Sequence, residues 1–284
     1  MPGRSARLVP PSSPRWPALW RGGRDGCSVS RMERSPAAAA AALMPHDPSL
    51  LATILPSANT VVERTTQALL RRLPGVVPIF TRVAKRGDTD PFPESYDWDA
   101  LLDAAMLLAD ARPGAIVWNA GKGAVIGLDQ DRALARRIRA ATGIPCETSG
   151  LALLRALAAL GATRIALIGP HQRDYNIRTA KGLAAEGIET VAEASLGIAD
   201  NLAFASVDYD AVAGLARRVL VPGVQAVVMW NTNCAAAPLA AGFEAECGVP
   251  LLDATALGVW GGLRASRCPV SPGAEWGRLF TLDG

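Results

Sequence analysis

Proton-carrying side chains are scarce in this 284-residue sequence, which holds two histidines and, among 29 basic residues, only the lysines Lys85, Lys122 and Lys181. Each position therefore matters. His171 follows the apolar run 164–168 and the turn Gly169-Pro170. An imidazole there can give or take a proton near neutral pH, or can be a histidine hydrogen-bonded for structure. Tyr175 lies one helical turn further on and offers a hydroxyl. Lys122 sits in Asn119-Ala120-Gly121-Lys122-Gly123, where the glycines let the backbone approach a ligand closely. It can pair with a carboxylate, act as a base if burial lowers its pKa, or remain a solvated loop lysine.

A second set of residues carries amides and hydroxyls. In Pro56-Ser57-Ala58-Asn59-Thr60, either Ser57 or Asn59 can cap the next helix, and free N–H groups there can hold a carboxylate. Asn201 closes Gly197-Ile198-Ala199-Asp200-Asn201, and Asn231-Thr232-Asn233 follows another apolar run. Amide and hydroxyl donors of this kind can hold carboxylate oxygens.

These residues need elements to position them. From residue 50 onward, short apolar runs alternate with amphipathic stretches. Strands are expected at 51–55, 75–83, 115–118, 164–168, 188–194, 224–230 and 250–252. Helices are expected at 59–73, 96–111, 128–142, 148–160, 174–186, 209–219, 235–247 and 254–264. Within 96–111, Leu101, Ala104, Ala105, Leu108 and Ala109 keep helical spacing. Such alternation implies an α/β fold of parallel sheets with helices on both faces, and ligands at the carboxyl ends of the strands. The runs Ile116-Val117-Trp118-Asn119-Ala120 and Val228-Met229-Trp230-Asn231-Thr232 echo each other at an offset of 112 residues, as duplicated halves would. Trp118 and Trp230 would then wall a pocket or fill the core.

Composition narrows the function. Residues 1–43 hold seven arginines against one Asp and one Glu, so a net charge of +3 leaves the remainder slightly acidic. That body offers no case for nucleic-acid binding. The leader lacks periodicity and is expected to be disordered, either as a functional leader or as a start-site artefact ahead of Met44. The five cysteines lack metal or disulfide spacing, so no metal is expected and a reducing, cytoplasmic setting fits. No apolar stretch is long enough to span a membrane. The glycines around Lys122 match no nucleotide-binding loop, so no cofactor is expected.

The order of motifs resembles the maleate isomerase and arylmalonate decarboxylase family of the aspartate/glutamate racemase superfamily. Pro56-Ser57-Ala58-Asn59-Thr60-Val61-Val62-Glu63 is similar to that family's P-S-x-N-T-x-x-E signature. Gly169-Pro170-His171, with Asn176 after it, resembles T-P-Y and its following Asn. Gly197 to Asn201 resembles a substrate-contacting segment, and Asn231-Thr232-Asn233 resembles C-T-N. Val259-Trp260 with Leu263-Arg264 resembles the closing W-x-x-L-R helix. The likeness runs from about Leu51 to Arg264.

The resemblance implies two pseudo-symmetric Rossmann-like halves with the site between them: about 50–145 plus the C-terminal helix, and 146–250, within a body of 44–284. It implies a cofactor-independent isomerase or decarboxylase-type lyase acting on a small mono- or dicarboxylic acid, in a superfamily where homodimers are common. It places Asn119 and Asn231 where the family has two catalytic cysteines. Asn forms no thiolate and carries no proton at neutral pH. His171, Lys122 and Tyr175 are then the expected proton carriers. Asn119 and Asn231 become polar orienters, and Ser57, Asn59, Asn201 and Thr232 become substrate-binding residues. Cys234, one turn past Asn231, is a substitute thiol or a small packing residue. The alternative is a catalytically inactive carboxylate-binding or regulatory homologue.

Overall fold

The computed structural model describes residues 48–85, 94–269 and 273–282, so the expectations for the leader lie outside the described residues. Strands β1 (Ser49–Pro56), β2 (Val76–Val83), β3 (Ala115–Trp118) and β4 (Cys146–Thr148) form a parallel sheet in the order β2-β1-β3-β4. Strands β5 (Arg164–Gly169), β6 (Glu189–Ser195), β7 (Ala226–Met229) and β8 (Leu251–Asp253) form a second parallel sheet in the order β6-β5-β7-β8. The two orders are the same topology written twice.

Helices α1 (Val61–Leu70), α2 (Trp98–Ala109), α3 (Lys122–Ile126), α4 (Leu128–Thr142) and α5 (Ser149–Leu160) accompany the first sheet. Helices α6 (Arg173–Ala184), α7 (Tyr209–Arg218) and α8 (Ala240–Cys247) accompany the second, and α9 (Ala254–Ala265) closes the series. The central strands are buried along β3, β7 and most of β1, which is why they read as unbroken apolar runs rather than alternating ones. In both halves the fourth strand ends on the cap of the next helix. Thr148 Oγ1 accepts from Leu151 N at 3.0 Å, and Asp253 Oδ1 accepts from Ala256 N at 2.8 Å.

The halves are joined rather than merely adjacent. α9 leaves the second sheet and packs on α5, β3 and β4 of the first. α3 packs on α6 so closely that a Cβ at Gly182 would stand 1.9 Å from the Ala124 carbonyl oxygen.

Four expectations need correction. β4 was not expected, because Cys146-Glu147-Thr148 is not an apolar run; it extends the first sheet to Thr148, and β8 extends the second to Asp253, past the boundaries at 145 and 250. α3 was expected to be loop, and Gly127 at φ 103° ends it after five residues. The helix expected over 235–247 starts only at Ala240. A 3₁₀ turn at Ala237–Leu239 precedes it, and Pro238 lacks the N–H a continuous helix needs.

The fourth correction concerns the internal echo. At the end of β3, Asn119 N donates to Ile54 O at 3.0 Å; at the end of β7 the equivalent bond is Trp230 N to Ile168 O at 2.9 Å. The starts agree: Gly114 N meets Leu50 O, and Gln225 N meets Arg164 O. Asn119 therefore corresponds to Trp230, one residue out of step with the Trp-Asn likeness. A one-residue step in a strand sends side chains to the opposite face.

Candidate active site

A cavity of about 550 Å³ opens where the carboxyl ends of both sheets meet. His171, Lys122, Tyr175, Asn59, Asn201, Asn231 and Thr232 all line it, drawn from both halves of the chain. Ser57 and Asn119 are absent from its wall.

His171 is buried. Its Nε2 lies 3.2 Å from the Trp230 carbonyl oxygen. A carbonyl only accepts, so this bond assigns the proton to Nε2 and leaves Nδ1 as the lone-pair nitrogen. Burial lowers the His171 pKa, and the Trp230 carbonyl opposes that fall, so the ring is neutral at neutral pH. The Tyr175 ring lies against it, with centroids 4.1 Å apart. Lys122 opens α3 at the cavity wall.

The expected anion site at the start of α1 is already filled. Asn59 Oδ1 accepts from Val61 N and Val62 N, each at 2.9 Å, and Asn233 Oδ1 accepts from Thr60 N at 2.9 Å. Those amides are not free for a carboxylate. Ser57 is also committed, with its Oγ both donating to Lys85 O and accepting from Lys85 N at 2.9 Å. Its place is to pin the end of β2, outside the cavity. Asn59 does face the cavity, and its Nδ2 donates to Thr232 Oγ1 at 3.1 Å.

Asn119 turns away from the cavity. It is fully buried; its Nδ2 donates to Thr255 O at 3.1 Å, and its Oδ1 accepts from Ser149 Oγ at 3.2 Å. Asn231 remains in the cavity, with Oδ1 accepting from Asn233 N at 2.7 Å. The two asparagines are thus not a facing pair. Cys234 offers no replacement thiol. It is buried away from the cavity, and its pKa is pushed up to about 12, first by burial and then by the Asp253 carboxylate. The two tryptophans divide: Trp118 lines the cavity, while Trp230 is core and donates its indole N–H to Gly121 O at 2.9 Å.

Sequence reasoning missed several residues. Asn233 lines the cavity and ties the second half to both α1 and the Asn201 carbonyl, at 2.7 Å. Arg178 and Lys85 add cations to the lining. Tyr96, just ahead of α2, lines the cavity and hydrogen-bonds Asp131, a fully buried carboxyl on α4. Burial raises the Asp131 pKa to about 6, while bonds from Thr148 and Tyr96 pull the other way. The sequence did carry a signal. Asp131 falls on the stripe of α4 that buries Leu128, Leu134 and Ile138, where an acid is out of place.

No group of three or more metal-ligating side chains occurs among the described residues. No helix among them is long and apolar enough to cross a membrane.

Known proteins share this fold. The family described as arylmalonate decarboxylase matches residues 102–280. A maleate isomerase from Nocardia farcinica is 29% identical over 242 residues, covering 81% of this chain and 94% of that protein. An arylmalonate decarboxylase from Bordetella bronchiseptica is 31% identical over 150 residues, covering 52% of this chain and 62% of that protein. Among solved structures, maleate isomerase from Pseudomonas putida S16 with maleate superposes with a TM-score of 0.76 at 25% identity, covering 82% of this chain and 98% of that one. The Nocardia farcinica maleate cis-trans isomerase with a covalently bound succinylcysteine intermediate gives a TM-score of 0.74 at 26% identity, covering 83% and 99%. With the match extending over more than half of its length, the chain belongs to the arylmalonate decarboxylase family.

Proposed function

We propose that this protein is a cofactor-independent enzyme acting on a small mono- or dicarboxylic acid, as an isomerase or decarboxylase-type lyase, through an enediolate-type intermediate. The observation that carries this reading is the convergence of His171, Lys122, Tyr175, Asn59, Asn201, Asn231 and Thr232 on one cavity. Relatives named maleate isomerase and arylmalonate decarboxylase supply the substrate class.

In this reading the amide and hydroxyl groups of Asn59, Asn201, Asn231 and Thr232 hold carboxylate oxygens, and Lys122 supplies positive charge. His171, with Lys122 or Tyr175, carries the proton. Donors aimed at developing negative charge lower the barrier most when water is excluded. The chemistry differs from that of the succinylcysteine-forming relative, because Asn231 stands in the cavity and no cysteine among the described residues lines it. Cytoplasmic location and a homodimer belong to the same proposal.

The test is a turnover assay of the Met44–Gly284 chain on maleate, phenylmalonate and related small acids, followed by proton NMR. Isomerised or decarboxylated product supports the enzyme. Tight binding of an acid without product would make the protein a carboxylate-binding homologue. Neither binding nor product would remove the substrate class.

A further inference from the structure

We propose that Asn233 is a positioning residue that sets Asn201 and Asn231 in place as donors to the ligand and locks that donor set to the first half of the chain. This rests on the small-carboxylate reading above.

Asn233 is buried in the cavity wall just past β7. Its backbone N–H and the two ends of its amide go to three different places. Oδ1 accepts from Thr60 N at 2.9 Å, at the start of α1 in the first half. Nδ2 donates to Asn201 O at 2.7 Å, on the segment that follows β6. The backbone N–H donates to Asn231 Oδ1 at 2.7 Å. Chemistry fixes which way the Asn233 amide is turned. Thr60 N–H can only donate and the Asn201 carbonyl can only accept, so the oxygen and nitrogen of Asn233 cannot trade places.

These bonds leave donors over. Asn231 has its side-chain oxygen engaged, and its NH2 end meets no acceptor among the described residues. Asn201 is held by its carbonyl, and its side-chain amide has no partner among the described residues. Thr232 Oγ1, between Asn231 and Asn233 in the chain, accepts from Asn59 Nδ2, so its own proton is also left over. All three residues line the cavity. N–H and O–H groups without a protein acceptor, gathered on one wall, suit anionic oxygen.

Asn201 needs such a tie. β6 is an edge strand that ends at Ser195. Backbone bonds continue past it, from Gly197 N to His171 O at 3.2 Å and from Ile198 N to Pro170 O at 3.0 Å. Beyond Ile198 the chain leaves the sheet and enters the 3₁₀ turn Ala203–Ser206. Asn233 meets the Asn201 carbonyl in that gap, where no ladder bond fixes the backbone.

Two variants separate the ties. Asn233→Asp keeps the acceptor for Thr60 and the backbone bond to Asn231, but sets an anionic oxygen against the Asn201 carbonyl. Asn233→Ala loses both side-chain bonds. Amide hydrogen exchange at neutral pH, read residue by residue, needs no ligand. In Asn233→Asp the amides of 199–204 should exchange about tenfold faster or more, with Thr60 unchanged. In Asn233→Ala the Thr60 amide should speed up as well. An unchanged 199–204 segment in both variants, or a uniform rise along the whole chain, overturns the proposal.

A double-mutant cycle with maleate, read by calorimetry, tests the consequence for the ligand. Asn201→Ala should cost about tenfold in affinity in wild type, and less than about twofold in either Asn233 variant, where that amide is already out of place. The charge added by Asn233→Asp is common to both members of its comparison and cancels. An equal cost in all three backgrounds would show that Asn201 is placed without Asn233, and overturns the proposal. So does the absence of any cost in wild type. A wild type that binds no maleate counts against the carboxylate reading itself, and the exchange pattern then decides the Asn233 tie alone.

Discussion

The side-chain amide of Asn59 donates to the hydroxyl of Thr232 at 3.1 Å, across 173 residues of chain, and so joins the two halves at the cavity wall. The same Asn59 caps α1 through Oδ1.

Asn59→Asp keeps the capping acceptor and can accept from the Thr232 hydroxyl, so the melting temperature should move little. It also puts a negative charge in the cavity. Affinity for a small carboxylate should fall about tenfold or more, equivalent to about 1.4 kcal/mol. Calorimetry checks this, and equal affinity in the two proteins would remove Asn59 from ligand binding.

His171→Gln keeps a hydrogen-bond donor for the Trp230 carbonyl but cannot carry a proton. kcat should drop by about 10²-fold or more. An unchanged kcat would exclude His171 from proton transfer. In wild type the neutral ring is the base, so activity should hold at neutral pH and fall only as pH drops through the lowered His171 pKa.

Asp131 also predicts a stability profile. Its pKa is raised in the folded state to about 6 from an ordinary 3.8, so the folded chain holds that proton more tightly than the unfolded chain. Its contribution is therefore most favourable below about pH 4 and is lost as pH rises through about 6. The loss is about 3 kcal/mol in magnitude. Denaturant unfolding of wild type and Asp131→Asn at several pH values should show the mutant gaining relative stability over that window. Parallel profiles would mean that Asp131 does not titrate there.

Thiol alkylation should leave the cavity working. Cys234 is buried with a pKa pushed up to about 12, and no cysteine among the described residues lines the cavity. Iodoacetamide at neutral pH should not change ligand affinity, and a loss protected by ligand would place a reactive thiol in the site.

The sequence showed the fold readily, because runs such as Leu51–Leu55 and Ala115–Trp118 are apolar for a reason that parallel sheets share: both faces are covered. Asn59, Asn201, Asn231, Thr232, His171, Lys122 and Tyr175 were legible as residues that follow strands or open helices. Ser57 and Asn119 were not separable from them, since sequence does not say which way a side chain turns. For Asn119 the difference is one residue of strand register. The pairing of Tyr96 with Asp131 was hidden because it joins residues 35 apart, and only the acid's place on the apolar stripe of α4 marked it.

Trp230 has one further consequence. Its backbone N–H sits in the second sheet, its carbonyl holds His171, and its indole holds the Gly121 carbonyl that belongs to the first half. Spreading the two halves to admit a ligand would break the indole bond and the Asn59–Thr232 bond together, at a net of about 1 kcal/mol each, besides the packing of α3 on α6. Traffic is therefore cheapest along the outer rim, past the exposed side chains of Gln172 and Arg178, while the deep wall behaves as a fixed anvil.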